Sequence, residues 1–349
     1  MIWLTWRQAR IQAIVMAAIL AVFGLALLVT GPHLVTLFRQ SSFATCHSNC
    51  SGDAGNFLNQ LATTAPYHLI YLLGALLIVL LPAVIGLFWG APLIARELET
   101  GTFRLAWNQT VTRERWLTVK LGVLGLTSMA IAGLLSLILG WWASPIDRAA
   151  DLQGAGGFQS RFFPLDFGTR GIAPIGYAAF AFALGVLVGL MIRRAVPAMG
   201  ITLAAIIAVQ IVFPLVVRPH LISPVRATSI VTAAAIDGLT ENQNGTNVQV
   251  QAQSPDIPGA WVYSSDVLNK AGSTNVSPLP SSCPGPNGGG NGSPQECFQA
   301  LAAQHLKQVT VYQPANRYWT FQALEFGIYL TVAILLAWAC FWWTRRRLG

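Results

Sequence analysis

The stretch APLIARELETGTFRLAWNQTVTRERWLTVK, residues Ala91–Lys120, holds the densest group of charges in the chain and lies between two long apolar runs. Within it, Phe103, Ala106 and Trp107 are spaced i, i+3, i+4. This spacing places them on one face of a short helix. The stretch therefore predicts a membrane helix, a break, a short amphipathic helix, a second break and another membrane helix.

Helix start and stop signals flank the predicted short helix. Gly101 suits the left-handed residue that ends a helix, and Thr102 can cap the next one through its side-chain oxygen. Thr112 with Glu114 offers a further helix start that leads into the following apolar run. A short helix in this place would lie against the membrane surface, where a cytoplasmic partner could bind it. The alternative is a basic loop that only fixes topology, and spacing alone does not separate the two.

The segment ELETGT, residues 97–102, is followed by the apolar-periodic stretch and then by Thr112-Arg113. In this order it resembles the first cytoplasmic loop of bacterial type-2 ABC transporter permeases. In that family a Glu-x-Gly-Thr motif precedes a coupling helix that docks on a separate ATPase subunit. Many members have proline just before the Ser/Thr-Arg pair, where this chain has Thr110-Val111. The resemblance implies an ATPase-coupling role for Glu97, Glu99, Gly101, Thr102, Phe103, Arg104, Trp107 and Arg113.

Composition places the chain in the membrane. Hydrophobic residues make up 54% of the sequence and charged residues 10%, whereas a soluble domain has about 25% charged residues. No G-x-x-x-x-G-K-[ST] motif occurs in the sequence. The chain therefore carries no P-loop and does not bind a nucleotide in that way.

Six apolar runs are long enough to cross a bilayer. They are Ile11–Thr30, Tyr67–Gly90, Leu121–Trp142, Pro174–Met191, Ala198–Val217 and Gln322–Trp343. The first is longer than the apolar core of a signal peptide, so we expect an uncleaved span after an interfacial helix at residues 1–10. Gly185 and Gly189 have the small-x-x-x-small spacing that permits close helix approach. We predict an all-α membrane protein with six transmembrane helices, divided into residues 1–217, 218–320 and 321–349.

The distribution of basic residues sets the orientation. Twelve of the 21 Lys and Arg residues fall in the predicted inner segments, which are the shorter ones, and nine are spread over three long outer loops. By the positive-inside rule both termini are cytoplasmic and the large loop 218–320 is extracytoplasmic. The net charge of +8 is then a topology signal, and no nucleic-acid partner is expected.

Four of the five cysteines fall in the outer loops, on the oxidising side. Cys46 and Cys50, in CHSNC, suggest a local disulfide, with a metal site that includes His47 as the alternative. The other two outer cysteines flank a Gly-rich tip in the large loop and suggest a second disulfide, Cys283–Cys297. After that tip, residues 293–296 (SPQE) have the order of a helix start. Cys340, in the last span, is expected to stay a free thiol.

The resemblance extends to the fourth span and to the segment VYQPANRYWTFQALEFGIYL before the last one. It implies the membrane subunit of an ABC exporter that moves a hydrophobic or amphipathic substrate, such as a drug or lipid, across the bacterial plasma membrane. The chain would need no cofactor of its own, since ATP and Mg²⁺ would bind a separate P-loop ATPase. It would work as a homodimer or beside a similar permease, in contact with membrane lipids.

Two other classes of function remain as alternatives. A secondary transporter or channel would use polar groups within the spans, and Gln210 and Glu325 are the strongly polar candidates. Gln210 could line a pathway or bond to a neighbouring helix, and Glu325 could lie at the interface or relay protons. A membrane enzyme on the outer face would need a catalytic constellation. The histidines, at residues 33, 47, 68, 220 and 305, are scattered without ligand spacing.

Overall fold

The computed structural model describes residues 2–48, 50–101, 112–241, 248–253, 257–276, 279–283 and 292–347. The chain forms two compact units: Met1–Ile222 with Asn316–Gly349, and Ser223–Ala315. The first unit is helical, whereas the second contains β-strands. The expectation of an all-α protein is therefore wrong for the second unit. Its alternating sequences, such as VQVQA at residues 248–252, suit strands with one buried face.

Six helices in the described part of the chain are long and apolar enough to cross a membrane, in agreement with the six predicted spans. We number them membrane helices 1 to 6. Helices 1, 3, 4 and 6 are Ile2–Gln40, Arg113–Leu152, Ala173–Ile192 and Tyr318–Arg347. Helix 2 is Tyr67–Val84, continued by a π-helical segment Ile85–Gly90 and then by Ala91–Thr100. Helix 5 is Ala195–Val212, continued by a π-helical segment Phe213–Val217 and a 3₁₀ turn Arg218–His220.

Membrane helix 1 is longer than its apolar run. It continues from Ile2 to Gln40 through Gly31 and Pro32, so the predicted loop start at Gly31 is wrong. Residues 2–10 are helical and continuous with the span, and their interfacial position stays a prediction. Leu27 and Leu34, on either side of this pair, are fully buried. The buried face of the helix therefore continues on both sides of the Gly-Pro pair. Packing against neighbouring helices allows a membrane helix to continue through a proline.

Membrane helix 3 also passes its predicted end at Trp142 and ends at Leu152. Ala143, Ile146 and Ala149 are fully buried at intervals of three residues. The face of the helix that packs against its neighbours therefore continues beyond the end of the apolar run. The helix Ser51–Thr63 packs against it and buries Phe57, Leu58 and Leu61.

Membrane helix 4 is the centre of the helical unit and packs against membrane helices 2, 3, 5 and 6. The close approach predicted from Gly185 and Gly189 is confirmed. A Cβ added at Gly185 would lie 2.5 Å from the carbonyl oxygen of Gly86 and 2.8 Å from the amide nitrogen of Ala91. Helices 2 and 4 thus touch backbone to backbone, at the π-helical segment Ile85–Gly90 that follows Pro82.

The segment between membrane helices 1 and 2 carries short helices, Ser42–Thr45 and Ser51–Thr63, joined by the Cys46–Cys50 disulfide. The predicted pairing is present, and both thiols of CHSNC are used in it rather than as metal ligands. Between membrane helices 3 and 4, the short helix Pro164–Phe167 precedes a left-handed turn at Gly171, φ 70°.

The unit Ser223–Ala315 contains two three-stranded antiparallel sheets in its described residues. Strands β1 (Val225–Ile230) and β4 (Trp261–Leu268) flank β6 (Lys307–Gln313) in one sheet. In the other, β2 (Ile236–Glu241) and β5 (Asn275–Val276) flank β3 (Val248–Ala252). A valine-rich core and the helix Pro294–Ala302 complete the unit.

The helix start predicted at residues 293–296 is confirmed as a capping box. The Ser293 side chain accepts from the Glu296 amide, and the Glu296 carboxylate accepts from the Ser293 amide at 2.9 Å. The helix carries Cys297, which pairs with Cys283 as predicted, and both sulfurs lie in the core of this unit. Cys340 is buried in membrane helix 6 as a free thiol, also as predicted.

Candidate functional site

The predicted coupling loop leaves membrane helix 2 and enters membrane helix 3 as the sequence signals indicate. Gly101 ends helix 2 in a left-handed conformation, φ 72°. The Thr112 hydroxyl caps helix 3 by accepting from the Arg115 amide at 3.3 Å. Residues 102–111 lie outside the described residues, as does the side chain of Arg113. The predicted short helix and the roles of Thr102, Phe103, Arg104 and Trp107 stay predictions.

Glu97 forms an ion pair with Lys120 across the base of this loop. The side chains are 13% and 3% exposed, and the Lys120 ammonium also lies 4.7 Å from the ring centroid of Trp116. Sequence reasoning assigned Glu97 to the ATPase and gave Lys120 no partner. The structure joins the last turns of membrane helix 2 to the start of membrane helix 3 through this pair.

Glu99 connects the same end of membrane helix 2 to membrane helix 5. Its Oε2 accepts a hydrogen bond from the amide of Ala195, at 3.1 Å, and Ala195 is the first residue of helix 5. The first amides of a helix have no partner within it, and its amino end carries a partial positive charge. A carboxylate placed there satisfies one amide and stabilises the helix. The base of the loop is thus fixed to two other membrane helices by two acidic residues.

A cleft of about 260 Å³ lies between membrane helices 2, 4, 5 and 6. Both residues predicted as possible pathway groups, Gln210 and Glu325, line it. The other lining residues are Val79, Pro82, Pro164, Leu165, Gly168, Tyr177, Phe180, Ile206, Val209, Ile211, Pro214, Leu215, Arg218 and Tyr329. The structure therefore brings two polar residues that are 115 positions apart into one largely apolar cavity.

Glu325 forms a bidentate ion pair with Arg218, whose Nε and Nη2 atoms lie 2.9 and 3.0 Å from its two carboxylate oxygens. Both side chains are 1% exposed. The Tyr177 hydroxyl donates to the same carboxylate, and Arg218 Nη1 donates to the carbonyl oxygen of Pro164 at 3.1 Å. Glu325 therefore neutralises a buried arginine, and its predicted interfacial position or proton relay stays a prediction.

Gln210 contacts a neighbouring helix and lines the cleft, and its role in a transport pathway stays a prediction. Its Nε2 donates to the carbonyl oxygen of Val79 at 2.8 Å. Val79 lies three residues before Pro82 in helix 2. Among the described residues the Gln210 side chain makes this one hydrogen bond, which leaves its Oε1 available as an acceptor.

Gln322, which the sequence gave no role, joins membrane helix 6 to the start of membrane helix 4. Its Oε1 accepts from the amides of Ile172 and Ala173, at 3.1 and 2.8 Å. Its Nε2 donates to the carbonyl oxygen of Phe167 at 3.0 Å. A fully buried amide that caps a helix in this way fixes the end of the bundle opposite the coupling loop.

A buried charged cluster lies at the same end of the bundle as Gln322. Arg170 lies 3.3 Å from the carboxylate of Asp147, and the Tyr71 hydroxyl donates to Asp166 at 2.7 Å. Burial raises the pKa of the Asp166 carboxyl, and its contacts with Tyr71 and Arg170 offset this only in part. This cluster fixes the segment before helix 4 to helices 2 and 3.

Sequence reasoning missed Arg218, Tyr177 and Gln322. It placed Arg218 in the outer loop because the apolar run ends at Val217, whereas the residue lies in the 3₁₀ turn that closes membrane helix 5. The signal that could have identified it is the presence of Glu325 near the same end of the next span, since a buried carboxylate needs a cation.

The known family model described as ABC-2 membrane transporter related matches residues 17–218 of this chain. The match begins within membrane helix 1 and continues to the end of membrane helix 5. No curated protein and no solved structure matched the chain.

Proposed function

Because this chain belongs to the ABC-2 membrane transporter related family, we propose that it is the membrane-spanning permease subunit of an ABC exporter. A separate P-loop ATPase would bind at the coupling loop and hydrolyse ATP with Mg²⁺. The permease would move a hydrophobic or amphipathic substrate out of a bacterial cell. It would act as a homodimer or beside a similar permease, because the family resemblance implies a pair of permease subunits.

The arrangement at the base of the coupling loop is the observation that carries this proposal. Glu97 contacts Lys120 of membrane helix 3, and Glu99 contacts the first amide of membrane helix 5. A displacement of residues 102–111 would therefore reach three membrane helices through short, charge-assisted contacts. Such contacts transmit a movement better than a flexible loop, because buried ion pairs resist separation.

Membrane helix 2 would pass a displacement of the coupling loop on to membrane helix 4. It is continuous from Ala91 into its π-helical segment and contacts the backbone of membrane helix 4 at Gly185 and Gly189. Helix 4 in turn packs against helices 3, 5 and 6. Backbone contact leaves no side chain to absorb a displacement, so a movement of helix 2 would shift helix 4 as well. ATP-driven closure of the ATPase could thereby switch the bundle between inward-facing and outward-facing states.

The distribution of Lys and Arg supports the orientation, with the coupling loop in the cytoplasm and residues 223–315 outside. The two disulfides support it independently, because Cys46–Cys50 and Cys283–Cys297 both fall on the predicted oxidising side.

The test is affinity purification of the tagged chain from its native membranes. We expect a P-loop ATPase to co-purify, and the reconstituted complex to hydrolyse ATP with a rate that depends on the permease. A chain that purifies alone under conditions that preserve its fold, and that transports an ion or solute without ATP, would contradict the proposal.

A further inference from the structure

The cleft is small, and exposed side chains of membrane helix 5 form part of its rim. Its volume of about 260 Å³ is slightly below the range of typical ligand pockets, which are about 300–1,000 Å³. Two of its lining residues, Ile211 and Leu215, are 56% and 66% exposed. A molecule dissolved in the bilayer could enter past these residues. The space suits one hydrocarbon chain or a small ring system and is too small for a two-chain phospholipid.

The cleft is polar at one end and apolar at the other. Arg218, Glu325 and Tyr177 are joined by hydrogen bonds at the polar end. Val79, Pro82, Ile206 and Val209 are among the apolar residues that line the remainder, where Gln210 adds a polar side chain. A ligand that matches this distribution has a short polar group attached to an apolar body.

The Arg218–Glu325 ion pair favours a ligand whose polar group is uncharged. Arg218 uses its Nε, Nη1 and Nη2 atoms for Glu325 and Pro164, so the guanidinium is already neutralised. A charged ligand would either break this pair or remain unpaired itself, and an unpaired buried charge is strongly unfavourable. A hydroxyl or an amide N–H can instead donate a hydrogen bond to the carboxylate or to Gln210 Oε1 without a change in net charge.

We propose that the cleft binds a neutral single-chain amphiphile from the bilayer. Its polar group lies at the Arg218–Glu325 pair, and its chain lies between Pro82, Ile206 and Val209. The role of this ligand as cargo rests on the proposed function, and it narrows the substrate to uncharged amphiphiles. Binding itself is a property of the permease alone.

The experiment uses the full-length permease alone in phosphatidylcholine nanodiscs, with a monoacylglycerol that carries a diazirine in its chain. After irradiation, labelled peptides are identified by mass spectrometry. We expect labels on membrane helices 2 and 5 beside the cleft. Unlabelled monoacylglycerol should compete, and the ionised fatty acid of the same chain length should compete at least about tenfold more weakly, which corresponds to 1.4 kcal/mol.

Val209→Trp fills the cleft and should reduce labelling about tenfold or more. Leu335→Trp is the matched control, since Leu335 is 58% exposed on membrane helix 6 and does not line the cleft. Ile211→Trp, at the exposed rim, gives a second test in case Val209→Trp does not yield a monodisperse protein. Labelling that is unchanged in both cleft variants, or equal competition by the fatty acid, would overturn the inference.

The two proposals fail in different ways. No ATPase is present in the labelling experiment, so lost or nonspecific labelling contradicts the ligand inference and leaves ATPase association untouched. Conversely, a permease that labels as expected but never associates with an ATPase contradicts the proposed function and leaves the cleft as an amphiphile-binding site.

Discussion

Arg218, in the turn that closes membrane helix 5, and Glu325, in the second turn of membrane helix 6, form a buried bidentate ion pair. Removal of one partner should destabilise the protein by about 3 kcal/mol or more, because the other charge is left unpaired. We expect Arg218→Met and Glu325→Gln each to lower the thermal unfolding midpoint in detergent. The double variant should be more stable than either single one.

The exposed pair Arg345–Glu114 provides the control for this double-mutant experiment. Its side chains are 66% and 58% exposed, and surface pairs contribute at most about 1 kcal/mol. Arg345→Met should therefore leave the midpoint nearly unchanged. A double variant of the buried pair that is as unstable as the two single losses combined would show that the charges do not act as a pair.

The Glu97–Lys120 pair should be needed for coupling rather than for ATPase binding. We expect Glu97→Lys and Lys120→Glu each to reduce ATP-driven transport while the ATPase still co-purifies, since each places like charges together. The double exchange should restore much of the transport, because it restores the pair. Arg115→Ala, an exposed neighbour on the same helix start, is the control. Loss of ATPase binding in the Glu97 variant would instead place Glu97 in the ATPase interface.

The contact between membrane helices 2 and 4 predicts that alanine at Gly185 lowers thermal stability, whereas alanine at Gly200 does not. Gly185→Ala places a methyl group 2.5 Å from the Gly86 carbonyl oxygen, and such overpacking typically destabilises by about 1–3 kcal/mol. Gly200→Ala meets nothing within 4 Å and should be neutral or stabilising, because alanine favours helix. Thermal unfolding of both variants in the same detergent measures the difference. Equal midpoints would contradict the close backbone contact.

The predicted coupling helix is tested by Trp107→Ala and Gly101→Val. Removal of a large aromatic from an interface typically weakens binding by about 2 kcal/mol, or roughly 30-fold in Kd. Valine at Gly101 would be strained at φ 72° and should displace the loop. We expect both variants to insert normally and to lose ATPase association or coupled hydrolysis, whereas Asn291→Ala, in the large loop, should behave as wild type. Unchanged association and turnover would mean that the loop only fixes topology.

The orientation predicts opposite labelling of two introduced cysteines. The cysteine of Gln109→Cys should be protected from a membrane-impermeant thiol reagent on intact cells, and that of Gly289→Cys should react. The native cysteines give little background, because four are in disulfides and Cys340 is buried. Labelling of position 109 from outside would reverse the topology.

Much of the fold could be predicted from local sequence. The six apolar runs, the left-handed turn at Gly101, the caps at Thr112 and Ser293 and both disulfides depend on residues within about 20 positions of each other. The predicted helix ends were less accurate, because helices 1 and 3 continue wherever a packed face remains, regardless of hydropathy. The strands of residues 223–315 were not predicted, although residues 248–252 show the alternation of a strand. The pairing of β1 with β6 joins distant segments, which local sequence does not reveal.

The sequence by itself therefore determined the membrane class, the number of spans and the ends of the two membrane helices that flank residues 102–111. Only the tertiary structure decided the partners of the buried polar groups. Arg218 and Glu325 are 107 residues apart, and Gln322 caps an amide 150 residues away. Such pairs form because burial leaves each polar group to find a partner among whatever the packing of the helices brings within reach. That packing, set here by glycine contacts between helices 2 and 4, depends on the whole bundle at once.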